Sequence, residues 1–355
     1  MQDATDYLPH ILEAHYEDAC FLYLQWWHAT DGDAPNSEFA NRLAFRLKAN
    51  LSGLMLQPDF SLDRAFGQIE TADPGECFVA AYLAFRCGNI DQVKAIIAAG
   101  NSDIQNYRAV ADGLSWDRTP VSETWMEKLA TSQKPELCAL GTYSKTSHQP
   151  YARAESAILQ KLSLIQSTLP LPVTSLLLAG LLRAPSVAAV TILRQRHTTD
   201  VSFYNILLLE TRITLGDTTA CAAFHPFIVT ANPWRERAIR FIFPHLEHAT
   251  AKQWIDELRR QNQCDRVTLI AIGALREQAL LPWVIRKMEE PEYARIAGQA
   301  FSLILDLDLA AEGLALSSND FDNSWFEIEG DEELDWPDVT KIKQIFYREP
   351  ALANA

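Results

Sequence analysis

Hydrophobic residues recur at helical spacing along most of the chain, most clearly near its C-terminal end. Residues 280–309 read LLPWVIRKMEEPEYARIAGQAFSLILDLDL. The spacing predicts two short amphipathic helices joined by a turn at Glu290 and Pro291. In the second helix Tyr293, Ala297, Ala300 and Ile304 repeat on one face, with Arg295 and Gln299 on the other side. A helix pair of this kind cannot bury both apolar faces alone, so it requires similar pairs stacked beside it.

Upstream, the same pattern predicts further helices. Residues 6–29 carry a stripe through Leu8, Ile11, Leu12, His15, Ala19, Leu22 and Trp26, widened by Phe21, Tyr23 and Trp27. The run from Asp31 to Asn36 breaks it, and Ser37 is placed to cap a second helix. That helix has an apolar ridge of Leu43, Leu47, Leu51 and Leu54, with Arg42, Arg46 and Asn50 in a neighbouring row. A third helix over 75–86 and a fourth over 90–99 are separated by Gly88, a C-terminal cap; Asp73 and Glu76 suit the positive end of the third. Beyond Leu114, helix starts fall near Pro135, Pro172, Asp200, Asn232-Pro233, Asn262 and Pro291, spaced by roughly 30 residues as in helical repeats. Asn232 is expected as a cap with Pro233 opening the helix, which turns Trp234, Ala238 and Ile242 inward. The expected fold class is all-α: an N-terminal helical lobe over 1–113, a helical-hairpin repeat solenoid over 114–310, and an acidic C-terminal tail over 311–355.

The tail differs in character. Residues 320–338, DFDNSWFEIEGDEELDWPD, combine many acids and no lysine or arginine with Phe321, Trp325, Phe326, Ile328 and Trp336. So much charge prevents an independent core, so the aromatic residues are expected to pin the segment onto the last repeat. A final helix is expected over 339–347.

Composition narrows the functional classes. Hydrophobic residues make up 48% of the 355, which excludes disorder throughout. A formal charge of −15 argues against nucleic acid, because phosphate binding needs a basic surface. The six cysteines form no C-x-x-C pair and sit mostly in apolar runs, which reads as free thiols in a reducing compartment. The N-terminus lacks the features of a signal peptide, and a cytoplasmic location is expected. The apolar stretch 169–193 is cut by Pro172, Arg183 and Pro185 into pieces too short to span a bilayer, so a pair of core helices is expected and no membrane association.

No reaction motif emerges. There is no H-E-x-x-H, G-x-S-x-G, G-x-G-x-x-G or P-loop. His15 lies on the apolar stripe and reads as a core histidine, while His225, His245 and His248 are spaced without a metal-ligand pattern. Asp306 and Asp308 lack the rest of a calcium loop. No catalytic, cofactor-binding or metal-ligating residue and no cofactor is therefore expected. Arginines from Arg235 to Arg295 either form a stripe on one face or pair in solvent with acids such as Glu236, Asp256 and Asp265.

Several segments carry a resemblance: HYEDACFLY at 15–23, RLAFRLKANLSGL at 42–54, GECFVAAYLAFRCGN at 75–89, LPWVIRKMEEPEYARIAGQAFSLILDLDL at 281–309, and the acidic run ending LDWPD at 334–338. In these the chain resembles a proteobacterial family of HEAT-like repeat proteins whose genes often lie near type VI secretion modules. The likeness runs in order along nearly the whole chain and is weakest over 142–225. The family pattern has a histidine and an acid where this chain has Asn50 and Ser52. The resemblance implies a HEAT-like solenoid that handles a secreted toxin or secretion component, as an immunity protein or as an effector adaptor or chaperone. No catalytic residue comes with it.

The expected function is therefore non-enzymatic protein binding. Expected contact residues are Asp320, Asp322, Trp325, Phe326, Glu327, Glu329, Asp331, Glu332, Glu333, Asp335 and Trp336, an acidic aromatic set suited to a basic cleft. The alternative is an enzyme or nucleic-acid-binding protein on the same scaffold, in the manner of HEAT-like DNA glycosylases, which the acidic charge and missing motifs oppose.

Overall fold

A computed structural model describes residues 8–31, 37–87, 89–146, 169–183, 187–261, 265–316, 330–332 and 334–348. Every regular element among them is helical, and the sole β-type contact there is an isolated antiparallel bridge between Ala315 and Pro337. The chain divides into two compact units, residues 1–197 and 198–355. The expected boundary at 113/114 falls inside a helix, Ile104–Ser115, whose residues Tyr107 to Ser115 are nearly all buried.

The first unit contains α1 (Leu8–Asp31), α2 (Ser37–Leu54), α3 (Pro58–Phe66), α4 (Pro74–Cys87), α5 (Ile90–Gly100), α6 (Ile104–Ser115), α7 (Pro120–Ala130), α8 (Pro135–Thr146), α9 (Leu171–Arg183) and α10 (Val187–Arg196). Packing alternates. α1, α4, α6 and α8 lie side by side in one row, and α2, α5 and α7 lean on that row from outside. The inner helix α4 is buried from Cys77 to Phe85 without interruption, whereas α5 buries only Val93, Ile96 and Gly100. A helix surrounded by neighbours is apolar all round; one facing water keeps a stripe. Inner helices approach closely through glycine: a Cβ on Gly113 of α6 would stand 2.5 Å from the Phe78 carbonyl oxygen of α4.

Local signals explain several ends. Asp73 and Glu76 do more than complement a dipole, because each side chain accepts from the other's backbone N–H (2.8 and 3.1 Å), a reciprocal cap on α4. Asn89 caps α5 and Asp103 caps α6 through paired N–H contacts. The short helix α3, with Pro58 in its first turn, is an element that apolar spacing alone did not reveal.

On α2 the ridge Leu43, Leu47, Leu51 and Leu54 is buried as expected, at no more than 4% exposure. On α1 the buried stripe is rotated. It keeps the expected Leu12, Ala19, Leu22 and Tyr23 and adds Tyr16 and Cys20, while Ile11 and Phe21 are 52% and 60% exposed. The reason is that α4 packs on the Cys20 side, where the Gly75 position touches the Cys20 backbone, and draws that side inward. His15 is half-buried, and its Nδ1 lies 2.7 Å from Oδ1 of Asn50. Asn50 therefore has a structural role here, and Ser52 bonds back to the Lys48 carbonyl of its own helix.

The core of this unit holds a polar centre at Asp112. Asp112, 3% exposed, accepts from the hydroxyls of Tyr23 (3.1 Å) and Tyr143 (3.0 Å), and the Arg108 guanidinium lies 3.7 Å away. Aromatic rings enclose it: Tyr23 stacks on Phe78 at 4.1 Å, and Trp116 meets both Phe78 and Trp26 edge-on. Burial, followed by the Asp112 charge, pushes the Tyr23 hydroxyl well above its ordinary pKa, so it stays a donor.

The second unit contains α11 (Phe203–Thr214), α12 (His225–Val229), α13 (Arg235–Ile242), α14 (His248–Arg260), α15 (Asp265–Leu275), α16 (Leu281–Lys287), α17 (Ala294–Leu305) and α18 (Val339–Arg348). Here α13, α15 and α17 form the inner row, and α14 and α16 each pack on the inner helix that follows. α15 is buried from Val267 to Gly273, and Gly273 admits α17 so closely that a Cβ would sit 2.9 Å from Cα of Ala300. Ala297, Ala300 and Ile304 face the core as expected. The helix expected to open at Pro233 begins two residues later, at Arg235, and Asn232 accepts from the Trp234 N–H just ahead of it.

The apolar stretch 169–193 divides into α9 and α10, and no helix among the described residues is long and apolar enough to cross a membrane. The expected Gly88 cap, the Asn262 helix start and Cys264 lie outside the described residues.

Candidate functional site

After α17 the chain turns at Asp306, which adopts a left-handed conformation (φ 56°), and reaches Leu314–Leu316. This short extended piece pairs with Trp336–Asp338: Leu316 N donates to the Trp336 carbonyl (2.8 Å) and Asp338 N to the Leu314 carbonyl (2.7 Å). Leu316, just before the acidic aromatic run, and Trp336, near its end, therefore lie side by side. Asp338 then caps α18 through the Lys341 N–H.

Two arginines of the inner row hold Asp331, Glu332, Leu334 and Trp336. Arg266, at the start of α15, makes a bidentate pair with Asp331 (2.7 and 2.8 Å) and reaches Glu236 on α13 (2.7 Å). Arg295, in the first turn of α17, donates to the carbonyls of Leu334 (2.8 Å) and Glu332 (3.1 Å) and lies 5.1 Å over the Trp336 ring. A planar guanidinium suits both tasks, since it offers forked donors and a face that stacks on an aromatic ring.

The expected contact residues thus separate. Asp331 is 1% exposed and Trp336 8%, so both are buried against the helices. Glu332 is exposed but folds back on the Gly330 N–H, whose hydrogen bond holds its carboxyl below the usual range. Asp335 is exposed. Asp320, Asp322, Trp325, Phe326, Glu327, Glu329 and Glu333 lie outside the described residues. A groove of about 470 Å³ beside the clamp is lined by Met288, Pro291, Leu316, Trp336 and Val339, with the Lys343–Glu289 ion pair at its edge.

The other arginines are largely engaged rather than arrayed as a stripe. Arg237 forms a double contact with Glu210, Arg235 donates to the Ile228 carbonyl and Gln261, and Arg276 approaches Asp306. Of the acids named from the sequence, Glu236 pairs with Arg266 and Asp256 lies 3.8 Å from Arg259. Glu210 and Asp331 are remote in sequence and reach these arginines only through helix stacking.

A second hollow, about 710 Å³, contains Cys221, His225, His245 and Trp254. His245 Nδ1 lies 2.8 Å from the Phe241 carbonyl, which can only accept, so the ring proton sits on Nδ1. His225 Nε2 meets Glu257 at 2.9 Å. Burial pushes the Cys221 thiol upward, away from a nucleophilic thiolate. Each histidine has its own partner, and no group of three or more histidines, cysteines or acids among the described residues could hold a metal.

His248 belongs to a different contact. With Lys252 it approaches the Glu277 carboxylate at 3.0 Å. Burial alone would raise this carboxyl, but the Lys252 and Ala279 hydrogen bonds and the cation charges outweigh it and lower the pKa. A lowered folded-state pKa stabilises above the unfolded value and is lost as pH falls through the folded one. Glu277→Gln is therefore expected to lower stability at neutral pH, with the difference from wild type closing below about pH 4. Urea midpoints of both proteins between pH 7 and pH 3 check this; a difference constant with pH would contradict it.

No family model matches the chain, and no characterised protein or solved structure is significantly similar to it.

Proposed function

We propose that the chain is a non-enzymatic protein-binding scaffold of HEAT-like helical hairpins. It works in the cytoplasm within a type VI secretion effector module. It masks a partner protein, either as immunity protein to a toxin or as adaptor and chaperone to an effector. The observation that carries the binding reading is the clamp: Arg266 and Arg295 secure the base of an acidic aromatic run whose two ends meet at Leu316 and Trp336. Acids and large rings combined in one run suit the basic cleft of a partner, where charge speeds encounter and aromatic burial slows release. The secretion context rests on the sequence resemblance alone.

Truncation after Leu316 is a poor test, because it removes Asp331 and Trp336 and so dismantles the clamp. The informative variant replaces Asp320, Asp322, Glu327 and Glu329 by their amides. Tagged wild-type protein is expected to recover one toxin or secretion protein stoichiometrically from its own cells, and the amide variant to lose it. The recovered protein, purified, should bind wild type with an affinity that falls as salt rises. Full retention by the amide variant, or recovery of nothing at low salt, counts against the reading.

A further inference from the structure

The outer face of α2 differs from the rest of the described surface. Phe45 is 78% exposed, the highest value among the large hydrophobic residues described. It stands on the side opposite Leu43, Leu47 and Leu51, between Arg42 and Lys48 one turn away on either side, with Arg46 adjacent. All three cations are exposed, and among the described residues none has a carboxylate within salt-bridge distance. Arg42 lies over the Phe39 ring at 5.9 Å, and Glu38 in the first turn is the helix's one acid. Elsewhere among the described residues cations are mostly paired, so a chain of net charge −15 gathers exposed positive charge around the most exposed aromatic ring described.

Such a face fits an acidic segment with a large apolar side chain, and this chain contains one. Residues 320–329, DFDNSWFEIE, place Asp320, Asp322, Glu327 and Glu329 around Trp325 and Phe326 with no lysine or arginine. We propose that the outer face of α2 docks the 320–329 run of a second copy of this chain. Arg42, Arg46 and Lys48 supply the charge complement, and Phe45 supplies the apolar contact. An anionic membrane fits less well: Phe45 is flanked by Asn41, Ala49 and Ser52, too little apolar surface to insert, and the whole chain is repelled by a negative leaflet. A docked run cannot also occupy another protein, so self-association competes with partner binding. The inference does not depend on the partner reading, because the purified chain alone tests it.

The test is sedimentation velocity on the full chain. Wild type is expected to self-associate by about 0.1 mM in low salt, and to dissociate between about 0.1 M and 1 M salt as the screening length falls from about 10 to 3 Å. Phe45→Ala should weaken association about tenfold, as expected for losing a buried ring. The triple change Arg42→Glu, Arg46→Glu, Lys48→Glu lies off the buried face of α2 and should leave a folded monomer by circular dichroism. A variant with Asp320, Asp322, Glu327 and Glu329 changed to lysine should also be monomeric. Mixing the two reversed variants should restore a complex, which a merely structural effect would not do. A monomeric wild type under these conditions overturns the proposal, as does association indifferent to both reversals. Retention of the triple-sensitive protein on phosphatidylserine vesicles without self-association assigns the face to membrane and likewise overturns it.

Discussion

Replacing Asp112 by alanine is expected to destabilise the first unit by about 3–5 kcal/mol, the range for removing one member of a buried charged network. Asp112 accepts from the hydroxyls of Tyr23 and Tyr143, residues that are 1% exposed or less, and stands against Arg108. The truncation removes the shared acceptor and opens a space the surrounding rings cannot fill, since α6 is already held against α4 at Gly113. Asp112→Asn keeps an acceptor of the same shape and should cost less, about 1–3 kcal/mol. Thermal unfolding followed by near-UV circular dichroism is the measurement, because Trp26 and Trp116 pack into the same cluster. At about 2–4 °C per kcal/mol the alanine variant should melt roughly 10 °C early. A loss under about 1 kcal/mol would show that the tyrosines find other acceptors at little cost.

Arg266→Ala is expected to cost the second unit about 2–4 kcal/mol. It strips Asp331, 1% exposed, of a bidentate partner and leaves a carboxylate in a buried position. The figure sits below the full range for buried pairs because Arg266 itself is 24% exposed and water screens its side of the contact. The tail should respond more than the helices. Proteolysis within 330–348 should accelerate in Arg266→Ala, whereas α15, buried from Val267 onward, should stay protected. Changing Arg266 and Asp331 together to apolar residues should recover much of the stability, since it leaves no charge unpaired. Equal stability of the single and double variants would mean that Asp331 contributes through packing alone.

Periodicity revealed the elements that face water on one side and the core on the other. The ridge of α2 and the inward positions of α13 and α17 follow from apolar residues every three to four positions. Where a helix is enclosed by neighbours, as α4 and α15 are, apolarity is continuous and spacing no longer reports which neighbour lies where. The same limit explains α1. Its aromatic and aliphatic residues cover more than one face, and only the arrival of α4 at Cys20 decides that Tyr16 and Tyr23 turn inward and Phe21 outward.

The tail divides along the same line. Composition predicted that residues 320–338 are too acidic to fold by themselves and that aromatic residues attach them to the helices, and among the described residues Trp336 is buried under Arg295. Composition did not distinguish Asp331 from Asp335, because a carboxylate in a run of carboxylates carries no mark of its partner. Only stacking brings Arg266 of α15, Glu236 of α13 and Asp331 together across 30 and 65 residues of sequence. Helical propensity, capping and amphipathic spacing act within a few turns and are legible in order along the chain. Buried ion pairs and close glycine contacts depend on which helices meet, and that is decided only when the inner rows pack.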